Sequence, residues 1–183
     1  LIHRNEQENA MTVMEQILSI PMINRVRRNH ALEHATIHML SQRVKNLSIV
    51  GRSTQQGFHL YGNVTTEQVQ AAVEEALRRL KAGERELAIH PGCGTNLVAS
   101  SSLGGMAAIS VLGILPRRGR LGFERLPFAI GAIMLGVLLG QPLGMRLQER
   151  VTTNGDPGDL RVVGITQTGR GRVPTHRIDT VSS

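Results

Sequence analysis

The sequence predicts an α+β fold interrupted by a two-helix transmembrane hairpin, on three observations. Two runs, Leu97–Leu115 and Leu126–Met145, hold 19 and 20 residues without a charge, each enough to cross about 30 Å of hydrocarbon as a helix. The residues before them alternate helical and strand patterns in the order α-β-β-α-β. The residues after them carry a turn cluster and two strand-like stretches, which read as a β-hairpin joining the same sheet. The chain therefore divides into a soluble α+β domain over 1–96, a transmembrane hairpin over 97–145 with helices at 97–115 and 126–145, and a C-terminal β-hairpin segment over 146–183.

Residues 22–44 lack Pro and Gly and are rich in helix formers, and Asn46 supplies a stop. A shorter helix precedes them and ends before Pro21. Leu47 to Val50 and Phe58 to Tyr61 read as strands around a turn from Gly51 to Gly57. Thr65 with Gln68 has the spacing of a capping box, and Val69, Ala72, Val73, Ala76, Leu77 and Leu80 form a helical stripe that stops at Gly83. Glu86 to His90 reads as the last strand of the first domain. It leads into the loop His90-Pro-Gly-Cys-Gly-Thr-Asn96, which opens into the first apolar run. In the two runs small residues recur every four positions, as Ser100, Gly104 and Ala108 and as Gly136, Gly140 and Gly144. Such faces let helices approach closely in lipid, either each other or those of a partner subunit. Past the hairpin, the turn cluster from Asn154 to Gly158 precedes strands at Leu160 to Gln167 and Arg172 to Thr180, around Gly169-Arg-Gly171.

Composition excludes several classes of function. The 183 residues contain no Trp, one Tyr and three Phe, so platforms for stacking nucleic-acid bases are scarce. The net charge of +7 is spread along the chain, and no segment forms a basic arm; nucleic acid is not an expected partner. The densest positive stretch is Arg117, Arg118, Arg120 and Arg125, between the two apolar runs, which is the pattern of a membrane-proximal loop. One cysteine, Cys93, excludes an intrachain disulfide framework and fits a reducing compartment or a thiol kept for chemistry. No Walker loop, dinucleotide fingerprint or G-x-S-x-G elbow is present.

The chemistry-bearing stretch is Asn29-His-Ala-Leu-Glu-His-Ala-Thr-Ile-His38. His30 and His34 are four apart on a helix, so both imidazoles leave one face about a turn apart and can share a metal ion, with Glu33 beside them. The H-x-x-E-H arrangement resembles that of inverzincins, in which the two His bind zinc and the Glu acts as general base; the alternative is a structural or polar-network role for the row. Two His are too few for a complete site, and Cys93 is the natural third ligand. A thiolate binds zinc strongly, Gly92 and Gly94 let the backbone turn, and the N-terminus of the following helix favours the thiolate. His38 and His90 are reserve ligands. Alternatively, His90 to Asn96 is only a tight linker in which Thr95 or Asn96 caps the helix, or Cys93 is a nucleophile activated by a His without metal. His59 and His176 fall in strands and read as structural.

With the H-A-L-E-H-A-T-I-H helix and the H-P-x-C-G-T-N loop quoted, the chain resembles an uncharacterised family of bacterial membrane proteins, common in phototrophs, over most of residues 25–147. A more distant resemblance, confined to the motif and the α-β-β-α-β order, is to inverzincin metallopeptidases of the insulinase type and to S-ribosylhomocysteine lyase. It implies His30 and His34 as ligands of a divalent metal and Glu33 as the proton-transfer group. The peptidases take a later Glu as third ligand, and this chain has no carboxylate between Glu86 and Glu124. The lyase uses a later Cys, as Cys93 would be here, but needs a second, catalytic Cys that this chain lacks.

The expected protein is thus a membrane-anchored zinc protein with a metallohydrolase-like site of His30, His34 and Cys93 near the bilayer surface, Glu33 acting as base and membrane lipid close by. The competing expectation is a non-catalytic accessory subunit of a membrane complex, a photosynthetic one included, docked through the small-residue helix faces. The first 25 residues carry charges and Pro21 and no signal-like apolar core, which places the soluble part in the cytoplasm and the protein in the cell membrane as a multi-pass chain. The arginine-rich loop argues for the opposite orientation, while Lys81, Arg85, Arg146 and Arg150 flank the hairpin on its other side.

Overall fold

The computed structural model describes residues 13–115, 123–168 and 173–182. The described residues fall into two compact units, one drawn from residues 13–89 and 151–182 and one from residues 90–150.

The first unit is mixed α/β. Residues 13–19 are helical, and Pro21 then opens helix α1 (Pro21–Arg43), where its missing N–H costs nothing. Asn46, at φ 54°, turns the chain away after α1. Strands β1 (Ile49–Thr54) and β2 (Gly57–Gly62) follow, joined by a two-residue turn at Gln55 and Gln56. The turn is shorter than the sequence pattern implies, because Gly51 lies inside β1, opposite Leu60. Helix α2 (Thr66–Lys81) starts at the capping box: Thr65 Oγ1 accepts from the Gln68 N–H, and Gln68 Oε1 accepts from the Thr65 N–H. It ends before Gly83, whose φ of 98° suits glycine. Glu86 to His90 is not a strand. Arg85–Ala88 form one 3-10 turn that buries Leu87 and Ala88, a short apolar run satisfied by a turn as well as by a strand.

Strands β3 (Arg161–Gln167) and β4 (Thr175–Val181), from the end of the chain, complete an antiparallel sheet in the order β1-β2-β4-β3. The C-terminal hairpin thus joins the sheet as its sequence implies, with β4 inserted beside β2. The Gly169–Gly171 turn lies outside the described residues. Phe58, Leu60 and Ile178 alternate onto one face of the sheet and meet Leu32, Ala35, Met39 and Leu40 of α1 and Val69, Val73, Ala76 and Leu80 of α2. Burying a Leu, Val or Phe side chain contributes roughly 1.5–3 kcal/mol, so this layer is the main stabilising element of the unit. The opposite sheet face carries Arg52, His59, Tyr61 and Arg177 and is open.

The second unit is a helical hairpin of α3 (Gly94–Ile114) and α4 (Leu126–Leu147). The small residues face one another. Asn96, Ser100, Gly104 and Ala108 are the buried positions of α3, and Ala129, Gly136, Gly140 and Gly144 those of α4. A Cβ on Gly136 would stand 2.7 Å from the Gly104 Cα, so the backbones meet where side chains are absent. Arg125, at the start of α4, donates to the carbonyls of Leu112 and Leu115 and covers the open end of α3. The outer surface is apolar, with Leu97, Val98, Met106, Ile109, Phe128, Ile130, Met134 and Leu138 exposed. Both helices are long and apolar enough to cross a membrane by length and composition. The loop arginines Arg117, Arg118 and Arg120 lie outside the described residues.

Candidate metal centre

Helix α1 brings His30 and His34 together. One turn apart, their rings stand 4.3 Å between centroids at 61°. Each is held through Nδ1 by a backbone carbonyl: His30 lies 2.9 Å from the Thr152 oxygen, and His34 lies 2.7 Å from the Ala88 oxygen. A carbonyl only accepts, so Nδ1 is the donor in both rings, and in the neutral form Nε2 carries the lone pair. Metal-binding histidines are commonly oriented this way, because the second hydrogen bond fixes the tautomer and the ring direction.

The two carbonyls lie where the first unit gives way to the hairpin along the chain. Ala88 ends the 3-10 turn just before it, and Thr152 is the second residue after it. The returning segment is strapped to α1. Arg27 donates from Nε to the Val151 carbonyl at 2.7 Å and from Nη2 to the Thr153 carbonyl at 2.9 Å, bracketing the Thr152 carbonyl that holds His30. Asn154 donates its backbone N–H to the Arg27 carbonyl at 3.1 Å and its side-chain N–H to Asn24 Oδ1 at 2.8 Å. Burial lowers the Arg27 pKa from its ordinary value.

Glu33 turns towards the sheet. Its carboxylate accepts from the Ser53 hydroxyl and lies over Gly51 in β1. Asn29, buried one turn before, donates to the Thr54 carbonyl at 2.9 Å and accepts from the Thr180 hydroxyl at 2.7 Å, pinning the α1 segment that carries the histidines to β1 and β4.

Cys93 belongs to the second unit, as the N-cap residue of α3. Its N–H donates to the His90 carbonyl at 3.1 Å, and its own carbonyl accepts from the Asn96 N–H at 3.0 Å. Asn96 donates from its side chain back to the Pro91 carbonyl at 2.9 Å. It closes the His90–Asn96 loop without being the cap. His90 accepts the Gly92 N–H at Nδ1, at 3.1 Å. In the neutral ring its proton is therefore on Nε2, the opposite tautomer to that of His30 and His34. Its backbone N–H donates to the side-chain oxygen of the fully buried Gln148 at 3.0 Å.

The remaining histidines among the described residues stand apart from the pair. His38 Nε2 lies 3.1 Å from Gln42 Nε2, one turn further along α1. His59 stacks on Tyr61 across the open sheet face at 6.3 Å. His176 is fully buried in β4 with Nε2 3.2 Å from the Thr66 hydroxyl; burial lowers its pKa, against a smaller opposing pull from Glu67. Arg27, Asn29, Ser53 and Gln148 were not signalled by motif or spacing. The partners that place them are backbone groups or side chains 20 to 151 residues away.

Comparison with known proteins places the chain. Residues 25–165 match the model of a family described as a domain of unknown function, DUF6391. An uncharacterised protein of the cyanobacterium Picosynechococcus sp. is 33% identical over 117 residues, which cover 57% of each chain. The match thus spans little more than half the length of that relative. No solved structure gives a significant match. With most of its length inside the family match, the chain belongs to the DUF6391 family.

Proposed function

We propose that this protein is a membrane-anchored zinc-binding protein in which His30, His34 and Cys93 hold the metal and Glu33 moves protons beside it. The observation that carries the reading is the pair of Nδ1 hydrogen bonds to the carbonyls of Ala88 and Thr152, which point two Nε2 lone pairs from one face of α1. Two imidazoles and a thiol are a donor set that could hold a metal ion, and nitrogen with sulfur donors suits zinc. Chain connectivity supports Cys93 as third ligand. Ala88 is fixed to His34, and five residues span at most about 17 Å.

Bound zinc supplies a Lewis acid that makes water nucleophilic near neutral pH. Three protein ligands leave a position open for such chemistry, whereas structural zinc sites are closed by four. The apolar exterior of α3 and α4 is suited to lipid, and Cys93 opens α3, so the site lies near the bilayer surface and a lipid head group or membrane protein segment is the natural substrate. The cell membrane is the proposed location, with the α/β unit on its cytoplasmic side.

One observation favours the other reading, an accessory subunit with a structural metal. Glu33 is engaged by Ser53, and a base must be able to exchange protons. The small-residue faces suggested as a docking surface are packed on each other inside the hairpin, so a partner subunit would meet the large apolar side chains instead.

Metal content of the detergent-purified protein, measured by mass spectrometry beside His34→Ala and Cys93→Ala, tests the proposal. We expect about one zinc per chain, lost in both variants. A wild-type protein free of metal after zinc supplementation would sink it.

A further inference from the structure

We infer that Arg27 is a positioning residue for the His30 ligand, acting through the Thr152 carbonyl; the inference rests on the metal-binding reading above. The guanidinium is a planar fork with fixed donor directions. Its Nε and Nη2 hold the carbonyls of Val151 and Thr153, at 2.7 Å and 2.9 Å, on either side of Thr152. The Thr152 carbonyl is the acceptor for His30 Nδ1 at 2.9 Å. Residues 148–152 form one wide π-type turn as the chain leaves α4, a backbone shape that is rare and frequently found at functional sites. Without the fork the Val151 and Thr153 carbonyls lose these two charge-assisted hydrogen bonds, and the turn that aims the Thr152 carbonyl loosens. Asn154, whose N–H shares the Thr153 peptide plane and donates to the Arg27 carbonyl and whose side chain donates to Asn24, secures the same segment from its far side. The Arg27 guanidinium grips both sides of the acceptor.

His34 gives the contrast. Its acceptor, the Ala88 carbonyl, sits in a 3-10 turn whose backbone is held by its own hydrogen bonds, the Leu87 N–H to the Glu84 carbonyl at 3.3 Å and the Ile89 N–H to the Glu86 carbonyl at 3.1 Å. Loss of Arg27 therefore affects one ligand of the pair and spares the other. The expected loss is the one seen when a group behind a ligand is removed, about 10-fold to 100-fold in metal affinity.

The test uses the full chain in detergent micelles, with Arg27→Gln compared with wild type and with Arg25→Gln, which removes a charge from the same helix without touching residues 151–153. In the metal-free protein, nitrogen-15 histidine spectra report the tautomer of each ring. We expect His30 to be protonated at Nδ1 in wild type and in Arg25→Gln, and to shift towards the Nε2–H form in Arg27→Gln while His34 stays unchanged. With zinc, chelator competition should then show at least 10-fold weaker binding only in Arg27→Gln, and cobalt substituted for zinc should show altered absorption bands. An unchanged His30 tautomer with unchanged zinc affinity in Arg27→Gln overturns the inference. Zinc-free wild type with the expected tautomer shift would sink the metal reading and leave the orienting role of Arg27 as the surviving fact. A variant that loses the helical signal of wild type would be replaced by Arg27→Lys, which keeps the charge without the fork and is expected to show the same His30 shift.

Discussion

Glu33 and Gly51 occupy one space. The Glu33 carboxylate of α1 lies where a side chain at Gly51 of β1 would stand, and the Ser53 hydroxyl two residues along the same strand donates to it. Glycine inside a strand usually weakens it, and here it admits the close approach of a charged group.

Gly51→Ala should therefore destabilise the protein by roughly 1–3 kcal/mol by overpacking, read as a lower midpoint in chemical unfolding. In a Glu33→Ala background the same change should cost far less, because the crowding atoms are gone. Costs that simply add would mean the two residues are not coupled.

Asn29→Ala removes a buried amide that satisfies the Thr54 carbonyl and the Thr180 hydroxyl. Groups left buried without partners cost roughly 1–3 kcal/mol each. We expect a loss of about 2 kcal/mol or more, far beyond that of a surface substitution. A change within 0.5 kcal/mol, on the order of surface effects, would show that Asn29 does not pin α1 to β1 and β4.

Gly136→Leu should separate α3 from α4, since even a Cβ there would stand 2.7 Å from the Gly104 Cα. Hydrogen exchange in micelles should show faster exchange over residues 94–114 than in wild type. Gly131→Leu, where a Cβ would meet nothing, is the control expected to exchange as wild type.

The stability of the α/β unit should fall as the pH is lowered through about 6.5. Burial lowers the His176 pKa, so the unfolded chain takes up a proton before the folded one does. The contribution is present above the unfolded pKa, declines below it, and levels off once the folded pKa is passed. Unfolding midpoints at pH 7.5 and pH 5.5 should differ more in wild type than in His176→Gln; equal differences would exclude His176 as the source.

Local patterns were legible where partners are near in sequence. The four-residue spacing of His30 and His34 does put two rings side by side, Thr65 and Gln68 do form the capping box, and the small-residue rows do face each other across α3 and α4. Patterns failed where one stretch suits two structures. Leu87 and Ala88 are apolar and buried in a 3-10 turn as they would be in a strand, and Gly51 resembles a turn residue while serving a strand. Arg27, Asn29 and Gln148 were invisible for another reason. Their partners are backbone or side-chain groups that the fold brings close, and a carbonyl has no residue type to recognise.

The placing of β4 between β2 and β3 has a consequence for how the protein is made. At roughly 5–20 residues per second of synthesis, β2 leaves the ribosome on the order of ten seconds before its second neighbour, β4, does. Throughout that interval its edge is bare, while the apolar α3 and α4 emerge next and must find lipid or each other. The nascent chain thus carries its two aggregation hazards at once, an open sheet edge and an apolar hairpin. Delivery of α3 to a bilayer during translation would remove one hazard long before β4 arrives to close the other.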